Sequence, residues 1–170
     1  VVGFSFAQKS NYISNVPGAN GPVNAITSHG DTVFVGGNFT SVFSRLDSVN
    51  RAKYSSLIHP TTGVVNAAFP KANGRVYAAV PDGQNGYYIG GNFTKVGNAF
   101  RSRIAHIDSV GNVTGKLSDA GIIGSVRSLA LKGDTLFVGG NFTGAGKVLN
   151  GAAFAVDAAY ATYPLPEIET

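Results

Sequence analysis

One phrase governs what this chain can fold into, because the chain writes it three times. Gly36-Gly37-Asn38-Phe39-Thr40 returns as Gly90-Gly91-Asn92-Phe93-Thr94 and as Gly139-Gly140-Asn141-Phe142-Thr143. The asparagines stand 54 and then 49 positions apart. A recurrence near fifty residues is the mark of a repeat architecture, in which each unit is one supersecondary structure that buries its faces on its neighbours.

The register extends beyond the pentapeptide. A turn and an apolar run precede each copy, as in Gly30-Asp31-Thr32-Val33-Phe34-Val35, Gly86-Tyr87-Tyr88-Ile89 and Gly133-Asp134-Thr135-Leu136-Phe137-Val138. Earlier still come short apolar strands at 23–26, 76–79 and 126–130; after each copy a polar segment leads to a third strand at 54–58, 104–108 and 153–157. A weaker fourth strand is expected at 64–69, 113–116 and 160–163. Residues 12–22 parallel 65–75 and read as a lone outer strand ahead of the first unit, left as an edge.

Four short strands per fifty residues is the content of one β-propeller blade. The expectation is an all-β fold, a partial β-propeller of about three four-stranded blades, with repeats near 23–72, 73–122 and 123–170. Runs such as Val33-Phe34-Val35 are apolar on consecutive residues, as expected of a sheet packed on both faces. The glycine pairs suggest a bulge within the pentapeptide that aims Phe39, Phe93 and Phe142 between blades.

The phrase Phe-Val-Gly-Gly-Asn-Phe-Thr, followed by an arginine, an Ala-containing strand ending in Asp and a Gly turn (101–111), resembles the delta-sixty type β-propeller repeats of secreted bacterial proteins. A similar phrase occurs in the propeller of the fungal cortical polarity marker family. The resemblance covers residues 12–170 and implies a binding or structural scaffold. The first unit departs from it, with Ile58-His59-Pro60 where the others end in Asp108 and Asp157, and with a longer loop at 41–53.

Residues 1–7 are apolar and uncharged, and Ser5 and Ala7 fit the small residues before a signal-peptidase cut. They read as the tail of a signal peptide, with 8–170 as the partial propeller, and the expected location is secreted or at the cell surface, with a bacterial envelope favoured. No run approaches the roughly eighteen apolar residues of a membrane span. The chain has 23 glycines and no cysteine, which excludes disulfides, thiolate metal sites and cysteine nucleophiles.

Loops following the pentapeptides carry Arg45, Arg51, Lys53, Lys95, Arg101, Arg103 and Lys147, and a blade connection adds Lys71 and Arg75. The opposite loops carry Asp31, Asp82, Asp108, Asp134 and Asp157. Asp47 and Asp119 on the first side, and Lys132 on the second, are exceptions. One basic and one acidic rim are therefore expected, with Arg45, Arg51, Lys53, Lys95, Arg101 and Arg103 as the binding candidates. A basic rim steers acidic ligands most strongly at low salt. Nucleic acid fits poorly, because a net charge of +4 without aromatic-basic interleaving lacks the usual footprint.

Catalytic and metal motifs are not found. His29, His59 and His106 stand in no metal-ligand spacing and beside no nucleophile motif, and they read as surface or packing residues. No cofactor is expected. Asn38, Asn92, Asn112 and Asn141 open Asn-x-Thr sequons, three of which belong to the repeat's own turn. Sequences at Asp31, Asp47, Asp108 and Asp134 look like Asp-Ser/Thr-apolar O-glycosylation sites. The function expected is a non-catalytic binding or display module for a glycan or protein, joined to remaining blades of the same polypeptide. The alternatives are the propeller part of a carbohydrate-active enzyme whose active site lies elsewhere, and a structural spacer in a large adhesin.

Overall fold

A computed structural model describes residues 17–44, 47–50, 52–117, 120–145, 148–149, 153–157 and 162–163. Residues 1–7, Arg45, Arg51, Asp119 and Lys147 lie outside them, so the signal-peptide reading and part of the basic rim do too. Every regular element among the described residues is a β-strand. In chain order they are β1 (Gly18–Ala19), β2 (Val23–His29), β3 (Thr32–Gly37), β4 (Val42–Ser44), β5 (Asp47–Asn50) and β6 (Ser55–Ile58). Then follow β7 (Arg75–Pro81), β8 (Tyr87–Asn92), β9 (Lys95–Val96), β10 (Ala99–Phe100) and β11 (Ile104–Ile107). The last are β12 (Ile123–Lys132), β13 (Thr135–Ala145), β14 (Val148–Leu149), β15 (Ala153–Asp157) and β16 (Thr162–Tyr163).

Three antiparallel meanders, β2-β3-β6, β7-β8-β11 and β12-β13-β15-β16, form the three repeat units. Among the described residues the expected fourth strand is the two-residue β16 in the third unit, and in the first two units it is the single bridges Ile58↔Val65 and Ile107↔Val113. The polar segments after the pentapeptides are not plain loops. They fold into the small hairpins β4-β5 and β9-β10. Of the lone outer strand at 12–22 the described residues include 17–22, where Gly18 and Ala19 pair with Phe43 and Val42 at the edge of the small sheet β1-β4-β5. Ala72 bridges Val96 in the same way one unit later.

A bulge does accompany the glycine pair, but its extra residue lies in the facing first strand. Register slips between Val23 and Ala25, Val76 and Ala78, and Val126 and Ser128, opposite the two glycines each time. Asn24, Tyr77 and Arg127 are thus the unpaired residues that the bulge turns outward. The second glycine of each pair is dictated by that strand. A Cβ at Gly37, Gly91 or Gly140 would collide with the carbonyl oxygen of Pro22, Arg75 or Ser125.

The first glycine has a different cause, which lies in the next unit. A Cβ at Gly36 would stand 2.6 Å from Val76 Cγ1, and one at Gly90 would overlap Val126 Cγ1. The first strand of each following unit therefore seats its valine in the glycine notch of the unit before it. Val76 and Val126 are both 0% exposed. Around the first contact gather Ala25 and Phe34 from one unit with Tyr87, Ile89 and Phe93 from the next. Tyr88 and Ile104 meet Leu136, Val138 and Phe142 around the second. Burying a side chain of this size contributes roughly 1.5–3 kcal/mol.

Phe39, Phe93 and Phe142 are all buried, as expected. Phe93 and Phe142 pack toward the unit before their own. Phe39 packs with Val35, Val42, Ala52, Ile58 and Val65 of its own unit.

Candidate functional site

The end of each unit that follows the pentapeptide is held by an asparagine clamp. Asn20 Oδ1 accepts the backbone N–H groups of Thr40 and Ser41 at 2.9 and 3.0 Å, and its Nδ2 donates to Thr40 Oγ1 at 2.8 Å. Asn73 repeats the arrangement on Thr94 and Lys95, each bond 2.9 Å long. Ile123 stands at the corresponding place in the third unit and has no amide to offer. The clamp aligns the hairpins β4-β5 and β9-β10, which carry the candidate rim.

On that rim Lys53 and Arg75 are exposed, and Lys71 and Lys95 are half-buried. Lys71 Nζ donates to Ala67 O at 2.8 Å, and Lys95 Nζ lies 5.8 Å from the Phe100 ring centroid. Arg101 and Arg103 are placed otherwise. Arg101 donates to the carbonyl oxygens of Phe100 and Thr114, and its Nε is buried with no partner. Arg103 Nη1 donates to Phe93 O at 3.3 Å. Arg103 also adopts a left-handed backbone with φ of 69°, as Tyr54 does at 61° at the same entry to the third strand. These two arginines hold the hairpin to the sheet, and of the six binding candidates Lys53 is exposed and Lys95 holds its cation over the Phe100 ring.

The opposite end joins neighbouring units through polar contacts. His29 Nδ1 lies 2.6 Å from Asn85 Oδ1, and Thr32 Oγ1 lies 2.8 Å from the Tyr87 hydroxyl. Asp108 serves as a turn residue, its Oδ1 accepting the N–H groups of Val110 and Asn112 at 3.1 and 2.7 Å. Those bonds hold its carboxyl below the usual carboxylate range.

Asp82 was expected on the acidic rim and His106 among unconnected histidines; the fold brings them together. His106 Nε2 lies 2.9 Å from Asp82 Oδ2, and its Nδ1 lies 2.9 Å from Thr114 Oγ1. The ring rests on Tyr88 with centroids 4.5 Å apart. Asp82 Oδ1 accepts the N–H groups of Gln84 and Gly86, each at 2.7 Å. An ionised carboxylate only accepts, so Nε2 carries the proton and the Thr114 hydroxyl donates to Nδ1 in the neutral ring. Burial pushes His106 down from its ordinary value against the opposing bond to Asp82. Burial pushes Asp82 up, but the bonds from Gln84, His106 and Gly86 outweigh it and leave the carboxyl below its ordinary value.

An Asp-His-hydroxyl chain has the connectivity of a nucleophile relay. Here the His106 side chain is only 4% exposed and both ring nitrogens are bonded, so no face of the ring is open to a substrate. The cluster is a strut that ties the hairpin loop at 82–86 to the segment after β11. Neither spacing nor motif could have revealed it, since the bonding residues are 24 and 8 positions from His106.

A further cluster was also missed by sequence reasoning. Arg127 lies with Cζ 4.1 Å from the Tyr77 ring centroid, and its Nε donates to Ser125 Oγ at 3.2 Å. Both are bulge residues, so the register slip brings them to the same strand edge of adjacent units. A repeat alignment tracking the residue after each first-strand valine would have paired them.

Among the described residues no group of three or more His, Asp or Glu could hold a metal ion. Nor is any helix there long and apolar enough to cross a membrane. No protein-family model matches the chain, and no curated protein matches it.

Proposed function

We propose that the chain is three consecutive blades of a secreted β-propeller of the delta-sixty type, serving as a non-catalytic binding module whose basic rim takes an acidic glycan. The radial arrangement is supported by where neighbouring units touch, which is through their first and second strands: β2 and β3 against β7, and β12 against β7 and β8. Sheets that meet chiefly through their first and second strands suit blades set around an axis.

The observation that carries the binding reading is the state of the cations. The one ion pair among the described residues is His106–Asp82. Lys53, Lys71, Arg75 and Lys95 share one end of the units, and among the described residues none of them forms an ion pair with a carboxylate. Such unpaired charge raises the local concentration of an anionic ligand and accelerates its capture, an effect that salt screens. The repeat-defining residues, by contrast, are consumed by the scaffold.

The test is a fourfold charge reversal, Lys53→Glu, Lys71→Glu, Arg75→Glu and Lys95→Glu, with Arg101 and Arg103 left in place because they brace the hairpin. Binding to polyuronate and sulfated polysaccharides is read at low and physiological salt. The expected result is salt-sensitive binding by the native protein and its loss by at least tenfold in the variant, with an unchanged melting curve. Equal binding by the two proteins would refute the rim.

A further inference from the structure

The hairpin of the second unit belongs to a small sheet with an inner and an outer row of side chains. Its strands are the segment 71–73, β9 and β10. Lys71 O accepts the N–H of Gly97 and Lys95 O accepts that of Asn73, at 2.9 and 3.0 Å, and Ala72 bridges Val96 between them. Across the hairpin Val96 pairs with Ala99 and Lys95 with Phe100. Side chains alternate between faces along a strand, so Ala72, Val96 and Ala99 form one row and Asn73, Lys95 and Phe100 the other. The first row is inside, with Ala72 and Val96 at 3% and 0% exposure. The second faces solvent, and Phe100 at its end is 79% exposed.

Packing does not account for that phenylalanine. The core cluster that takes in Ala72 and Val96 closes without it. Nor does the repeat require an apolar residue there: three places before Tyr54, which opens the third strand of the first unit as Arg103 opens that of the second, the sequence has Arg51. The ring nevertheless stands on a braced base. Arg101 Nη1 donates to Phe100 O at 2.6 Å and its Nη2 donates to Thr114 O, while the Asn73 amide pins Thr94 and Lys95. Beside the ring is the Lys95 ammonium, 5.8 Å from the centroid and with no carboxylate partner among the described residues. A flat apolar surface and a cation held in fixed relation are pre-organised, so little ordering is needed when a ligand arrives.

We infer that Phe100 and Lys95 form a sugar subsite of the basic rim, where the pyranose ring of a uronate stacks on Phe100 and its carboxylate meets the Lys95 ammonium. The inference rests on the reading of the rim as a site for an acidic glycan, and adds the residue that distinguishes a sugar from any other anion. The two parts of a uronate call for two different groups. Its carboxylate needs a cation, which any lysine of the rim supplies; the C–H face of its ring needs an aromatic surface, which Phe100 supplies. An acidic protein segment offers Lys95 the same carboxylate and has no such face to lay on the ring. The stacking contribution is apolar, so it outlasts the salt screening that weakens the lysines.

The test compares polygalacturonate with polyglutamate, two carboxylate polyanions of which only the first is built of sugar rings. Binding of each to the native chain, to Phe100→Ala and to Phe100→Tyr is followed by calorimetric titration at low and at physiological salt, with a melting curve to check each variant's fold. At physiological salt the native chain is expected to bind polygalacturonate at least tenfold more tightly than polyglutamate. Phe100→Ala should bind the two polymers alike, and Phe100→Tyr, which keeps the ring, should keep the preference. Equal binding of both polymers by the native chain, or a preference that survives in Phe100→Ala, would overturn the sugar subsite and leave the basic rim standing. Binding of neither polymer by the native chain at low salt would overturn the rim and the subsite together.

Discussion

Three glycines per unit look interchangeable in sequence, and their environments show that they are not. Gly36 and Gly90 make room for a side chain from the next unit, whereas Gly37, Gly91 and Gly140 make room for a backbone carbonyl within their own. A third set, Gly21, Gly74 and Gly124, approaches the carbonyl oxygens of Asn38, Asn92 and Asn141. The side chain of a valine can yield by a few tenths of an ångström; a carbonyl fixed in a ladder cannot. Gly91→Ala should therefore be among the most damaging single substitutions, at about 3 kcal/mol or more, where overpacking normally costs about 1–3 kcal/mol. Asn73→Ala, which strips three bonds from Thr94 and Lys95, should cost about 1–2 kcal/mol. Urea denaturation midpoints at constant m-value measure both. The glycine pair was legible in the sequence because it is repeated as a pair. Gly21 and Gly74 recur in the parallel of 12–22 with 65–75, but Gly124 follows Ile123 in place of the asparagine, and the carbonyl that each of the three approaches was not legible.

At the scale of the strand, periodicity and apolar runs located first, second and third strands in every unit, to within a few residues at their ends. What it misplaced was governed by pairing across the chain. The bulge belongs to the first strand because the two glycines opposite it keep their spacing while the valine strand carries the surplus residue. The hairpins β4-β5 and β9-β10 read as loops because their strands are only two to four residues long, although each buries one valine, Val42 and Val96, in the core. His106 occupies the place that Leu57 fills in the first unit, and its bonds made an apolar position polar. Its depressed pKa has a consequence for stability. Between the ordinary histidine value of about 6.5 and its lower folded value, the unfolded chain binds the extra proton, so acidification through that window destabilises the fold. Asp82 works in the same direction at lower pH: its contribution is present above the ordinary value of 3.8 and is lost as pH falls through the lower folded value. His106→Leu should remove the first loss and shrink the second, because Asp82 loses the bond from His106 and keeps those from Gln84 and Gly86. Denaturant midpoints from pH 8 to pH 3 would show it, and an unchanged profile between pH 6.5 and 5 would contradict the assignment.

At the scale of the whole molecule, the repeat solves one problem twice: how to bury one face of a small sheet on the next. The first and second units each offer a glycine notch to the valine of the unit that follows, so much of the core lies between sheets. This explains why scaffold was more legible than site. Repetition exposes what every unit needs, whereas a binding surface resides in what the units do not share, such as the lysines of the two hairpins or Arg127 on Tyr77. It also explains why Arg101 and Arg103 were misleading, since a charge in a loop reads alike whether it faces solvent or braces a carbonyl.

The claim on which the rest stands is that the units join by a valine seated in a glycine notch, and a double-mutant cycle on Gly90 and Val126 tests it most directly. Gly90→Ala in the native background should destabilise by about 1–3 kcal/mol through overlap with Val126. In a Val126→Ala background the overlap with Cγ1 is gone and only the 3.1 Å approach to Cβ remains, so the same change should cost clearly less, giving a coupling of about 1 kcal/mol or more. Penalties that simply add would show that the two residues do not meet, and the stacked-unit account would be wrong.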